Sequence, residues 1–218
     1  MAGKKSAEAR RREIADAALR VIAEQGLGRF TALAIAREVG LTDGALFRHF
    51  ATKEAIVLAA IDRVGEILFD GFPPQGEDPI ERLGAFFRRR VEMIGGHPGV
   101  ARLVNSEDLA RAAPPEGVAR VAEFRRRSQA FVRSCLAEAG RRGLLAPGLT
   151  PAEAAVIVLG SLMALAHFPA VATAGEPVGP MSRRVWRALE GLLRAGRAGR
   201  AAVSGRKRLR TATEGGAR

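Results

Sequence analysis

The chain has one cysteine, Cys135, and no tyrosine. An internal disulfide is therefore impossible, and the thiol content does not ask for an oxidising compartment. The three histidines, His49, His97 and His167, are widely separated with no cysteine or carboxylate at ligand spacing, so no metal or other cofactor is expected. Neither a strand pattern nor an internal repeat is present, which leaves an all-α chain. The longest uncharged apolar run, Ala154 to Phe168, falls short of the roughly 20 residues that span a bilayer. The basic start, Met1 to Arg12, leads into an amphipathic segment rather than the apolar core of a signal peptide, so a soluble, cytoplasmic protein with no membrane partner is expected. Catalytic groupings are scarce too. Cys135 with His97 or His167 could pair a nucleophile with a base, yet Cys135 falls mid-helix on an inward face without paired carboxylates or a glycine-rich phosphate loop, and an enzyme is not expected.

What the chain does have is apolar surface and unevenly placed positive charge. Of its 218 residues 47% are hydrophobic, enough for a sizeable core in one or two domains. Residues 1–53 carry ten basic and six acidic side chains, residues 54–193 seventeen and sixteen, and residues 194–218 eight and one. The excess thus sits at the two ends around a nearly neutral middle, as expected if the ends face phosphate.

Residues 30–53 organise the N-terminal part. Thr31 is placed to cap a short helix whose apolar positions Ala32, Ile35, Ala36 and Val39 recur at helical spacing, and Gly40 can leave it through a left-handed turn. Thr42 then caps a second helix, Asp43 suits the positive end of its dipole, and Leu46 and Phe50 sit four apart on its buried side. Two short helices joined by a glycine-containing turn describe a helix-turn-helix. A first helix over about 10–25 packs across them, preceded by the basic cluster Lys4, Lys5, Arg10, Arg11 and Arg12.

Beyond Thr52, helices are expected over about 53–69, 79–95, 99–112 and 116–140, separated by proline and glycine. Thr150-Pro151-Ala152-Glu153 is a capping box with proline at the first helical position. The helix it opens is apolar all round and needs cover on more than one side. Val185, Trp186, Leu189, Leu192 and Leu193 mark a last amphipathic helix, and residues 194–218 read as a basic, disordered tail. The expected organisation is a helix-turn-helix domain with its basic arm (1–53), a helical body (54–193) and the tail (194–218).

Gly26-Leu27, Phe30-Thr31, Ile35-Ala36, the run Gly40 to Phe50, and Thr52-Lys53-Glu54 together closely resemble the N-terminal domain of TetR-family transcriptional regulators. The resemblance covers about a quarter of the chain and implies an all-α fold: a three-helix DNA-binding domain followed by a helical ligand-binding and dimerisation domain. It further implies a homodimer formed through the last two long helices. Position by position, it puts Thr31 at a phosphate, Thr42, Asp43, Gly44 and Ala45 at the start of the recognition helix where base edges are read, and Arg48 at a guanine or a phosphate. His49 and Lys53 match phosphate-holding positions. Phe47 stands where the family usually has tyrosine, so its ring can pack on the backbone but its hydroxyl contact is missing.

The expected function is a DNA-binding transcriptional regulator, a repressor held as a homodimer on a palindromic duplex operator and released by a small apolar or aromatic effector. Effector contacts are expected from Phe124, Ser128, Phe131 and Cys135, whose spacing of four, three and four puts them on one helical side, with Phe86, Met93 and Met163 opposite. The alternative is a DNA-bound factor of the same fold controlled by a protein partner, with no small-molecule inducer; a body without a cavity would favour it.

Overall fold

The computed structural model describes residues 6–26, 30–105, 113–167 and 178–194. Among them it forms nine helices and no strand: α1 (Ala7–Gln25), α2 (Ala32–Glu38), α3 (Asp43–Phe47), α4 (Lys53–Phe69), α5 (Pro79–Gly96), α6 (Pro98–Asn105), α7 (Pro115–Arg141), α8 (Pro151–His167) and α9 (Val178–Leu193). The arm with Lys4 and Lys5, and the tail beyond Arg194, lie outside the described residues.

Hydroxyl and carboxylate caps set most helix starts. Ser6, Thr31, Thr42 and Thr52 each accept a hydrogen bond from the backbone N–H three residues on, at 3.1 to 3.2 Å. Asp78 accepts from the Ile80 N–H at 2.7 Å, with Pro79 in the first turn of α5. The capping box forms in both directions: the Glu153 N–H donates to Thr150 Oγ1 (3.2 Å) and the Thr150 N–H to Glu153 Oε2 (2.9 Å).

Two apolar cores result. The first gathers Ile14, Ala18 and Ile22 of α1, Ile35 of α2, Leu46 of α3, Ile56 to Leu68 of α4, and Val100 and Leu103 of α6. Lys53, where the sequence places the end of the first domain, is therefore the first residue of a helix whose length continues that core. The second core joins α5, α7, α8 and α9 around Phe87, Leu136, Val158 and Trp186. Glycines permit the close crossings: a Cβ at Gly84 would stand 2.4 Å from Trp186 Nε1, and one at Gly99 would stand 2.1 Å from the Leu19 carbonyl oxygen. The first of these seats α9 on α5. The second brings α6 directly against α1.

Between the cores, aromatic rings collect. Phe69, Phe72, Phe86, Phe124 and Phe131 form a chain of ring contacts with centroids 5.1 to 6.1 Å apart. Half of the chain's ten phenylalanines are thus committed to one place, against which a cavity opens.

Candidate DNA-reading head and effector cavity

The head is α1, α2 and α3. Gly40, at φ +67°, makes the left-handed exit from α2, and Leu46 and Phe50 are fully buried against the first core. Burying these two residues turns Thr42, Asp43, Gly44, Phe47 and Arg48 outward, all exposed, with Ala45 and His49 half-buried beside them. A Cβ on Gly44 would meet nothing within 4 Å, so no contact among the described residues requires glycine there. The recognition helix is shorter than the sequence suggests. It ends at Phe47, with Arg48 as its C-cap and His49 in the following turn, because Phe50 must fold back into the core before Thr52 starts α4.

Thr31 and Thr42 use their hydroxyl oxygens to accept at their helix starts, which leaves each O–H able to donate outward. Lys53 is exposed, with its ammonium 5.5 Å over the Phe30 ring. The basic cluster of α1 is largely occupied within the chain. Arg10 pairs with Glu13 and Arg12 with Glu66, each at 2.9 Å, while Arg11 lies 4.8 Å over the Phe50 ring. Further pairs, Arg20 to Glu38 (2.6 Å) and Arg63 to Asp16 (2.7 Å), tie α1 to α2 and to α4. The head is therefore clamped to α4 by charge as well as by its core.

The cavity, of about 530 Å³, lies between the second halves of α4 and α5, α6, the middle of α7, and α8. Of the side chains expected around an effector, Phe86, Phe124, Ser128 and Met163 line it. The other three lie elsewhere. Met93 borders a small cleft next to the loop that follows α4. Phe131 is taken up by ring contacts with Phe72 and Phe86. Cys135 is buried in the second core, where loss of solvation pushes its thiol pKa up, the opposite of what a nucleophile needs. One helical face runs past two different neighbours, which is why spacing alone grouped these residues.

Sequence reasoning missed Arg90, which lines the cavity and is 5% exposed. Its Nη2 donates to Ser128 Oγ at 3.2 Å, and its guanidinium stands 5.0 Å from the centroids of both Phe69 and Phe86. Burial, and then the nearby Arg127 charge, lower its pKa to about 10, so it remains a cation at neutral pH. The signal lay in the spacing: position 90 is four after Phe86 and four before Ile94, inside the buried stripe of α5.

A capped helix pair turned outward and clamped to a helix that also walls a cavity is the architecture of a DNA-binding regulator. Comparison with known proteins gives the family. Residues 14–60 match the family model described as bacterial regulatory proteins, tetR family, and residues 76–167 match the tetracyclin repressor-like C-terminal domain. The chain belongs to the TetR family of transcriptional regulators. It is 29% identical over 165 residues to the HTH-type transcriptional regulator TtgR of Pseudomonas putida, covering 72% of this chain and 77% of TtgR. It is 27% identical over 113 residues to the nucleoid occlusion factor SlmA of Vibrio vulnificus, a match to 50% of this chain that spans 57% of the length of SlmA. The fold resembles the transcriptional regulator FadR of Bacillus subtilis, solved in complex with stearoyl-CoA, at a TM-score of 0.63 and 20% identity over 83% of this chain and 98% of FadR. Among the described residues no helix is long and apolar enough to cross a membrane.

Proposed function

We propose that the protein is a repressor that binds a palindromic operator as a homodimer and is released by a small, largely apolar molecule held in the 530 Å³ cavity. Residues 1–53 serve as the reading head and residues 54–193 as the sensing and dimerising body. In the bound state two recognition helices enter successive major grooves about 34–36 Å apart. Thr42, Asp43, Gly44 and Ala45 meet base edges, Arg48 meets a guanine or a phosphate, and Thr31, His49 and Lys53 hold the backbone with Phe47 packed on it. That no contact among the described residues needs glycine at position 44 supports a close approach of the backbone to DNA. Homodimerisation is supported by apolar side chains that α8 and α9 leave uncovered, with Val156 73% and Leu192 64% exposed.

One contact carries the coupling. Phe124, a wall of the cavity, packs so closely on Gly65 that a Cβ there would lie 2.8 Å from Phe124 Cζ. Gly65 belongs to α4, whose first residue is Lys53 at the DNA side. An effector that displaces Phe124 tilts α4 and with it the spacing of the two heads; it releases DNA only in so far as it binds the tilted state more tightly. The cavity also favours this reading over control by a protein partner, for which no such space is needed.

The test challenges the purified protein–operator complex with apolar and aromatic small molecules. A molecule that releases wild-type protein should fail on Phe124→Ala, whose ring no longer presses on α4, while that variant still binds operator. Saturable effector binding with unchanged operator affinity contradicts the proposal.

A further inference from the structure

We propose that the occupant of the cavity is an apolar monocarboxylic acid whose ionised head pairs with Arg90; this rests on the effector reading above. Arg90 is buried and, among the described residues, has no carboxylate partner. Other partly buried arginines do have one: Arg63 pairs with Asp16, Arg82 with Glu138, Arg120 with Asp62 and Arg194 with Asp78. Among the described residues the charge that acts on Arg90 is a second cation, Arg127, which stands over the Phe69 and Phe72 rings. Arg125 lines the cavity as well, and among the described residues no aspartate or glutamate does. A cation left in a low-dielectric site without a counter-ion is costly, and an anionic ligand removes that cost on binding.

Geometry narrows the class of anion. Phe69 and Phe86 occupy ring-facing positions around the guanidinium, and Ser128 Oγ takes a single N–H. Guanidinium carries five N–H donors in one plane, so an edge remains for the two oxygens of a carboxylate. Apart from Arg125 and Gln129, the rest of the described wall, including Leu68, Ile94, Phe124, Leu159 and Leu162, is apolar and matches a hydrocarbon body. One buried cation in such a wall fits one negative charge at the end of an apolar molecule better than a polyphosphate. A coenzyme A thioester, which has spent its carboxylate, offers Arg90 no such partner.

Calorimetric titration of the full chain with decanoate, decan-1-ol and decanoyl-CoA, each below its micelle concentration, tests this, with operator release followed in parallel. Decanoate should bind wild-type protein at least tenfold more tightly than the other two. In Arg90→Met decanoate should fall to the level of decan-1-ol, and Arg90→Lys, which keeps the charge but loses the fork, should retain part of the preference and guard against a misfolded methionine variant. Equal binding of acid and alcohol, or a preference that survives in both variants, overturns the assignment of Arg90 while leaving the effector reading intact. Tighter binding of decanoyl-CoA, unaffected by either substitution, overturns it in favour of the thioester. No binding of any of the three overturns the Arg90 assignment; binding of decanoate with the expected preference but no operator release keeps it and sinks the effector reading instead.

Discussion

Arg90 is the residue at which stability and recognition pull against each other. Buried beside Arg127 and satisfied by one hydroxyl, it should destabilise the ligand-free fold. Replacing an uncompensated buried charge by an apolar side chain of similar length is therefore expected to help: Arg90→Met should raise the stability of the free protein by about 1–3 kcal/mol, measured by urea unfolding. A loss of similar size would mean that the ring and Ser128 contacts outweigh the burial. On α3, Phe47 is exposed and has no hydroxyl. Phe47→Tyr should add one hydrogen bond to the backbone, about 1 kcal/mol or roughly fivefold in operator affinity, without change in sequence preference; fluorescence anisotropy checks both. These two residues were unequally legible in the sequence. Phe47 sits in a motif with fixed spacing, whereas Arg90 closes the run Arg88-Arg89-Arg90 and reads as solvated unless the stripe through Phe86 and Ile94 is extended across it.

At the scale of elements, α4 joins head and body, and the Gly65 crossing is where the account can be pressed. Gly65→Ala should force Phe124 away from α4 and lower operator affinity with no effector present, with melting temperature recorded to separate tilt from unfolding. The start of α5 gives a pH test. Burial works to raise the Asp78 carboxyl, but the Ile80 N–H and Arg194 outweigh it and hold its pKa below the ordinary aspartate value. A depressed folded-state pKa contributes stability that is present above the unfolded value near 4 and is lost as pH falls through the folded one. Asp78→Asn keeps an oxygen able to cap but removes the charge, and should therefore destabilise at pH 7 by about 0.3–1 kcal/mol, the range of a charge at a helix N-terminus, with the gap to wild type closing in acid. Helix starts such as these were readable because caps and prolines act locally. The early end of α3 was not, since it is set by the depth at which Phe50 must be buried, and the split of one α7 face between cavity, ring cluster and second core depends on neighbours that no spacing within α7 encodes.

For the whole molecule, the distribution of charge and the uncovered faces of α8 and α9 point to two copies sharing one DNA site. Val156→Glu with Leu192→Glu should yield a monomer by light scattering and abolish tight operator binding, while leaving each chain's helical content unchanged; a dimer that persists would move the interface elsewhere. The most direct measurement is selection of duplexes from a random pool by the purified full chain, followed by sequencing and by the mass of the complex. An enriched inverted repeat with half-site centres about one helical turn apart, two chains per site, and a changed or lost consensus for Arg48→Ala are expected. Enrichment of no sequence, or of an asymmetric one bound by a single chain, would contradict it.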